Sequence, residues 1–149
     1  MKIADALVGV RRLYIETAPF IYYVEAHPIY VHKMKRFFNG VNIGSFEAVT
    51  SVITLTEVLT KPLKSKDNAV EQGYRTLLQD TRHITLISVT APIAERAADL
   101  RQRYNLHTPD ALHLASAIEE SCDAFLTNDL ALQRVTELSV LALDDLELE

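Results

Sequence analysis

Glycine and proline are scarce in this chain, at four and five residues among 149, and the apolar residues are spread along its whole length. Collagen-like, low-complexity and disordered organisations are therefore excluded. There is no tryptophan and only one cysteine, Cys122, so no internal disulfide forms. No CxxC pair exists for zinc or redox work, which agrees with a reducing compartment. No run of about 18 apolar residues is present, which argues against a membrane-spanning helix. The opening MKIADALVGVRR sets charges on both sides of an apolar stretch too short for a secretion signal. The expectation is a cytoplasmic protein. Internal repeats and Pro/Gly/Ser-rich linkers are also missing, so residues 1–149 are expected to form a single domain. What is present, 48% hydrophobic and 23% charged residues, suits one sizeable buried core.

Acidic residues outnumber basic ones by 20 to 15, giving a net charge of −5. A protein that attracts nucleic acid through its bulk field alone does not fit that balance. Its distribution is uneven, however. Asp144, Asp145, Glu147 and Glu149 crowd the C-terminal tail, and the rest of the chain carries 15 basic against 16 acidic residues. A local basic face remains compatible with that remainder.

Short β-rich apolar runs at 12–16, 46–50, 84–89, 124–127 and 139–143 alternate with longer amphipathic stretches. That alternation predicts an α/β protein with a parallel sheet and helices on both faces. Over 92–104, Ile93, Ala97, Leu100 and Tyr104 share one helical face, with Thr90 as N-cap, Pro92 in the first turn and Asp99 paired with Arg103 on the outside. Over 28–39, Tyr30, Val31, Met34, Phe37 and Phe38 form an inward stripe and leave His32, Lys33, Lys35 and Arg36 outside. Those four are either a solvated face or phosphate contacts. Further helices are expected at about 18–25, 51–60 capped by Ser51, 67–81 capped by Asp67, and 109–121, with a short one after Asp129.

Open parallel sheets bind ligands beyond the carboxyl ends of their strands, where strand order reverses. The first strand ends in Glu16-Thr17 and the fourth in Thr127-Asn128-Asp129. Asp110, in HTPDALHLA, opens one helix, and Glu57, in SVITLTEVL, sits inside another. Each has a plain alternative. Asp110 can simply serve its helix N-terminus, where an acid gains roughly 0.3–1 kcal/mol. Asp129 can cap the short helix behind it. Periodicity places Glu57 opposite Val52, Leu55, Val58 and Leu59, as a solvent-facing partner of Lys61 four residues on. Glu16 lacks an easy alternative, because an unpaired carboxylate at the end of a central strand is costly. His113 falls on the polar side of its helix with Ser116 and Glu120, which predicts a surface histidine; a proton carrier facing the cleft is the other reading. No Ser/His/Asp set and no glycine-rich phosphate loop follows any strand.

Taken in order, LYIET, SVITLTEVL, LHTPDALHLASA and AFLTND resemble the PIN-domain ribonucleases, and among them the VapC-like toxins of bacterial and archaeal toxin–antitoxin pairs. The resemblance runs from about residue 12 to 143. It implies a PIN-like three-layer α/β/α fold with a parallel sheet of order 3-2-1-4-5, which brings the first and fourth strands together at the switch point. It further implies a Mg²⁺- or Mn²⁺-dependent endoribonuclease whose catalytic and metal-binding carboxylates are Glu16, Glu57, Asp110 and Asp129, with Thr17 and Asn128 as supporting polar groups. The partners it implies are an RNA substrate, a cognate antitoxin whose segment occupies the cleft, and a second copy in a homodimer. Tyr30, Phe37 and Phe38 are read as aromatic surface for that pairing, or as core. The chain departs from the family at Glu16, where the usual residue is Asp. The extra methylene makes a catalytically impaired RNA-binding or interaction module the alternative function.

The chemistry of the acids points the same way. Two carboxylates about 4 Å apart repel by roughly 4 kcal/mol at an effective dielectric near 20, so four converging acids need counter-charge. An all-oxygen set selects Mg²⁺ or Mn²⁺ over zinc, and such an ion activates water for attack on a phosphodiester. RNA approaching such a site needs basic neighbours. Lys33, Lys35 and Arg36, Lys61, Lys64 and Lys66, and Arg101 and Arg103 are the candidates. An exposed cleft suits single-stranded or looped RNA, whose bases are free to be stacked and read.

Overall fold

The computed structural model describes residues 1–149. Five strands, β1 (Arg12–Ile15), β2 (Glu47–Ser51), β3 (Ile84–Ile87), β4 (Ala124–Thr127) and β5 (Ser139–Ala142), form one sheet of order β3-β2-β1-β4-β5. Every neighbouring pair is parallel. The helices are α1 (Ile3–Ala6), α2 (Thr17–Val24), α3 (Val31–Asn42), α4 (Val52–Ser65), α5 (Asn68–Gln79), α6 (Ala91–Tyr104) and α7 (Thr108–Glu119). Two 3₁₀ turns, Leu130–Arg134 and Leu143–Asp145, flank β5. No helix is long and apolar enough to cross a membrane. The predicted fold class and strand order are those observed.

Period-two alternation in β1 divides the interior into two layers. Leu13 and Ile15 point into one core with Phe20, Met34, Phe37, Val58 and Tyr74, beneath α2 to α5. Tyr14 points into the other, with Val49, Phe125, Leu100 and Leu114, beneath α6 and α7. β1 is covered on both faces, which explains why RLYI reads as a nearly unbroken apolar run. Tyr14 and Phe125 pair in register across β1 and β4, and their rings stack with centroids 5.2 Å apart.

The predicted caps are in place: Ser51 accepts from Ile53 N at 3.1 Å, Asp67 from Val70 N at 3.2 Å and Thr90 from Ile93 N at 3.4 Å. Each satisfies an orphan amide of its helix. α3 begins later than its pattern, at Val31. Residues 25–30 are instead a turn in which Ala26 takes φ 51°, His27 Nδ1 accepts from Ile29 N at 3.1 Å and Tyr22 stacks on Tyr30 at 4.6 Å. Phe37 and Phe38 are buried, at 0% and 3% exposure. Of the two readings given to these aromatics, pairing surface or core, Phe37 and Phe38 follow the second, because α3 packs against β1 and α2 at once, while Tyr30 is half-buried at its edge.

The residues before β1 pack on the domain. Ile3 is fully buried and its N–H donates to Glu147 O at 2.9 Å, while Asp123 accepts from both Arg11 N and Arg12 N at 2.8 and 2.9 Å. The acidic tail is engaged as well: Asp144 accepts from Tyr30 at 2.7 Å, Asp145 from Gln133 at 2.9 Å, and Glu149 pairs with Arg36.

Gly40 lies inside α3, where a Cβ would stand 2.7 Å from Cε1 of the buried Phe46. Overpacking of this kind typically costs about 1–3 kcal/mol, more than the roughly 1 kcal/mol that alanine gains over glycine in a helix. Gly40→Ala is thus expected to lower the denaturation midpoint, and a rise in urea titration would contradict this packing.

Candidate active site

β1 and β4 are adjacent in the sheet and feed helices on opposite faces, so a crevice opens beyond their carboxyl ends. Glu16 follows β1 as the residue preceding α2 and is only 8% exposed. Thr127, the fully buried last residue of β4, donates its hydroxyl to Glu16 Oε1 and accepts the Asp129 N–H at 2.9 Å. One threonine therefore ties together the two strand-end acids. Burial raises the Glu16 carboxyl above the ordinary glutamate range, opposed by the Thr127 hydrogen bond.

Glu57 stands on the second turn of α4. Its Oε1 accepts from Thr17 Oγ1 at 2.8 Å and lies 3.0 Å from His113 Nε2. The His113 bond is the main cause holding its pKa below the usual value. Lys61 is turned away, its Nζ 4.0 Å from Glu25. The expected Glu57–Lys61 pair is not formed, because His113 and Thr17 hold Glu57 over the crevice instead.

Asp110 sits in the first turn of α7 and makes no side-chain hydrogen bond, so it is not a cap; that position falls to His107, which makes no side-chain bond either. Its pKa is raised, first by burial and then by the charge of Asp129. Asp129 does cap its 3₁₀ turn, with Oδ1 accepting from Ala131 N at 3.0 Å.

Glu16, Thr17, Glu57, Asp110 and His113 line one cavity of about 230 Å³. Asp110 and Asp129 line an adjoining one of about 170 Å³ together with His107 and Arg134. Asp110 is common to both. No three acidic, histidine or cysteine side chains close on a single point. Asn128 lies to one side, donating to Tyr22 Oη at 3.3 Å, with its buried Oδ1 lacking a partner.

A hard divalent cation fits this donor set. The bonds that anchor Glu16, Glu57 and Asp129 each fall on one carboxylate oxygen and leave the other free, while both Asp110 oxygens are free. No thiolate is near, and His113 Nε2 faces a carboxylate rather than open space. Mg²⁺ usually keeps several waters and takes one or two carboxylates, so convergence of three on one point is not required.

His113 is where the sequence reading fails most plainly. It is 2% exposed, and Ser116 beside it is fully buried. α7 is wedged between the sheet and α6, and its alanines at 111, 115 and 117 let neighbours approach on both arcs. A helix enclosed this way has no solvent side at His113. Thr127 and Arg134 were also missed. A threonine ending a fully buried strand and preceding two polar residues was the available signal for the first.

Among the basic candidates, Arg103 is engaged by Asp99 and Glu137 at 2.8 and 2.7 Å, Arg36 by Glu149, and Lys33 by Leu143 O at 2.9 Å. Arg101 bonds only the Leu106 carbonyl, at 3.1 Å. Arg134 donates to Ala131 O and Tyr104 O at 2.5 and 2.8 Å and has no carboxylate partner, although it shares a cavity with Asp110 and Asp129.

The fold resembles several solved structures. A chain of the VapBC2 complex from Rickettsia felis, bound to a DNA fragment from its promoter, superposes with a TM-score of 0.73 at 18% identity, covering 88% of this chain and 98% of that one. A chain of a toxin–antitoxin complex from Klebsiella pneumoniae gives 0.68 at 23% identity, covering 88% and 97%. VapC20 of Mycobacterium tuberculosis, described as a sarcin–ricin loop cleaving toxin, gives 0.67 at 15% identity, covering 85% and 98%. At these identities the likeness establishes the fold alone. A search of curated proteins finds no sequence match. The PIN domain family model matches residues 13–138, a span that holds Glu16, Glu57, Asp110 and Asp129, and the chain belongs to the PIN domain family.

Proposed function

We propose that this chain, acting as one PIN domain over 1–149 with its core at about 12–143, is a cytoplasmic, Mg²⁺- or Mn²⁺-dependent endoribonuclease and the toxin of a toxin–antitoxin pair. The observation that carries this is the set of four acids from four separate chain segments around one crevice, each with a free carboxylate oxygen. Glu16, Glu57, Asp110 and Asp129 are the proposed catalytic and metal-holding residues. Thr17 fixes Glu57, and Asn128 spaces Asp129 from β4. A bound divalent cation supplies the charge that lowers the pKa of an attacking water and offsets charge on the phosphodiester.

The chain's own residues do the rest. Thr127 and Thr17 orient Glu16 and Glu57, so that free oxygens face the crevice. Asp110 and Asp129 share a cavity with Arg134, whose guanidinium bonds two backbone carbonyls and no carboxylate and suits a substrate phosphate. Toxin function is favoured by the likeness to chains of toxin–antitoxin complexes, and RNA by the likeness to a sarcin–ricin loop cleaving toxin. An antitoxin segment is the proposed occupant of the crevice, and a homodimer the proposed assembly, which sedimentation at tens of micromolar checks.

The test is cleavage of a mixed single-stranded and looped RNA with Mn²⁺, repeated with excess EDTA. Cleavage that stops on chelation is expected; cleavage that survives EDTA overturns the metal mechanism. RNA binding with no cleavage under any metal favours the inert-module alternative raised by the longer Glu16 side chain. Arg134→Gln is expected to raise KM more than it lowers kcat, and to reduce the slope of log affinity against log salt by about one. An unchanged slope removes Arg134 from the RNA path.

A further inference from the structure

Two buried polar side chains beside the acids, Tyr14 and His113, are 0% and 2% exposed. Neither has a role in the chemistry above. Tyr14 Oη lies 2.6 Å from His113 Nδ1, with the two rings edge to face at 5.7 Å. On its other side, His113 Nε2 lies 3.0 Å from Glu57 Oε1 and 3.3 Å from Thr17 Oγ1. The chain of contacts runs from the middle of the central strand, through α7, to an acid on α4.

Proton accounting fixes its direction. The Tyr14 phenol has one O–H proton to give, and His113 Nδ1 is the hydrogen-bond partner of its oxygen. Tyr14 therefore donates to Nδ1, which leaves the imidazole proton on Nε2, where it meets the Glu57 carboxylate. The opposite tautomer would set two lone pairs against each other at 3.0 Å. Thr17 and His113 both bind Oε1, so Oε2 stays free.

We propose that Tyr14 and His113 are positioning residues: Tyr14 selects the Nε2–H tautomer of His113, and His113 in turn holds Glu57 by Oε1 with Oε2 presented to the crevice. Held by one oxygen, the Glu57 carboxylate keeps its other oxygen for a cation. Partners of this kind, one bond removed from a ligand, typically change metal affinity by about 10–100-fold when lost. The proposal rests on reading Glu57 as a member of a metal centre.

Two measurements on the full chain test it. Long-range ¹H–¹⁵N correlation spectra of the metal-free protein at neutral pH are expected to show His113 as the Nε2–H tautomer, and Tyr14→Phe to mix the tautomers. An Nδ1–H form, or an imidazolium, in the wild-type protein overturns the proposal. Mn²⁺ titrations followed by EPR are expected to show affinity falling on the order of 10-fold in Tyr14→Phe, which keeps the ring volume, and about 10–100-fold in His113→Ala. His113→Gln, which returns an N–H donor toward Glu57, is expected to recover most of that loss. Wild-type affinity in Tyr14→Phe, or no recovery in His113→Gln when both melt as folded proteins, also overturns it. Wild-type protein that binds no Mn²⁺ sinks the metal reading and this role with it, whereas wild-type binding with unaltered variants sinks the relay alone.

Discussion

Asp110→Asn is expected to eliminate metal-dependent RNA cleavage, a loss of at least about 10²-fold, since displacing a reacting group by some 1 Å already costs that much and here a ligand is removed. The same change is expected to raise the melting temperature of the metal-free protein. Asp110 has a raised pKa, caused by burial and by Asp129. Between the ordinary aspartate range and that raised value the folded state binds more protons than the unfolded chain. Stability of the metal-free protein therefore falls as pH rises through that window. Asparagine removes the charge and the penalty, so the gain is largest at neutral pH and shrinks as pH drops below the ordinary aspartate range. For a domain of this size each kcal/mol reads as roughly 2–4 °C. A large fall in melting temperature at neutral pH would mean that Asp110 is a structural residue of α7. Asp129→Asn should lose cleavage equally, while its amide oxygen keeps the cap on Ala131 N.

The second large effect concerns Glu16. Its carboxylate is buried and held by Thr127, so its extra methylene is accommodated by a hydroxyl that also accepts the Asp129 amide. In a live site, Glu16→Asp withdraws the carboxylate from Thr127 and changes activity or metal preference modestly. Glu16→Ala removes the acid and ends cleavage. In an inert site, Glu16→Asp creates cleavage where the parent has none, because a shift of about 1 Å is worth on the order of 10²-fold in rate. Cleavage rates for the three proteins separate these outcomes. Full activity in Glu16→Ala would falsify the placement of this acid in the site.

Much of the architecture could be read from the order of apolar runs. Five short β-rich segments separated by helical stripes give a parallel sheet, and β1 needed burial on both faces because it alternates so little. Caps such as Ser51, Asp67 and Thr90 act within a few residues, so local chemistry was enough to find them. Glu16, Asp110 and Asp129 were findable for a similar reason: each follows a strand or opens a helix, and topology then gathers them. His113 was not findable. Its surroundings are set by how closely α6 and the sheet approach α7, a tertiary fact that a 3.6-residue period does not encode. Glu57 was misread in the same way, since helical spacing offers Lys61 as a partner while the fold supplies His113 and Thr17. Phe37 and Phe38 follow the inward stripe that their spacing predicts rather than the pairing surface also read for them, because they pack into the core with Leu13 and Ile15 of β1 and Phe20 of α2.

The central claim is that Glu16, Glu57, Asp110 and Asp129 form one divalent-metal centre, and uptake of Mn²⁺ by the metal-free protein tests it most directly. EPR titration of free Mn²⁺ should show saturable uptake by the wild-type chain, and none by the Asp110→Asn/Asp129→Asn double variant, with both proteins folded by their melting curves. Equal uptake by the two proteins would contradict the account.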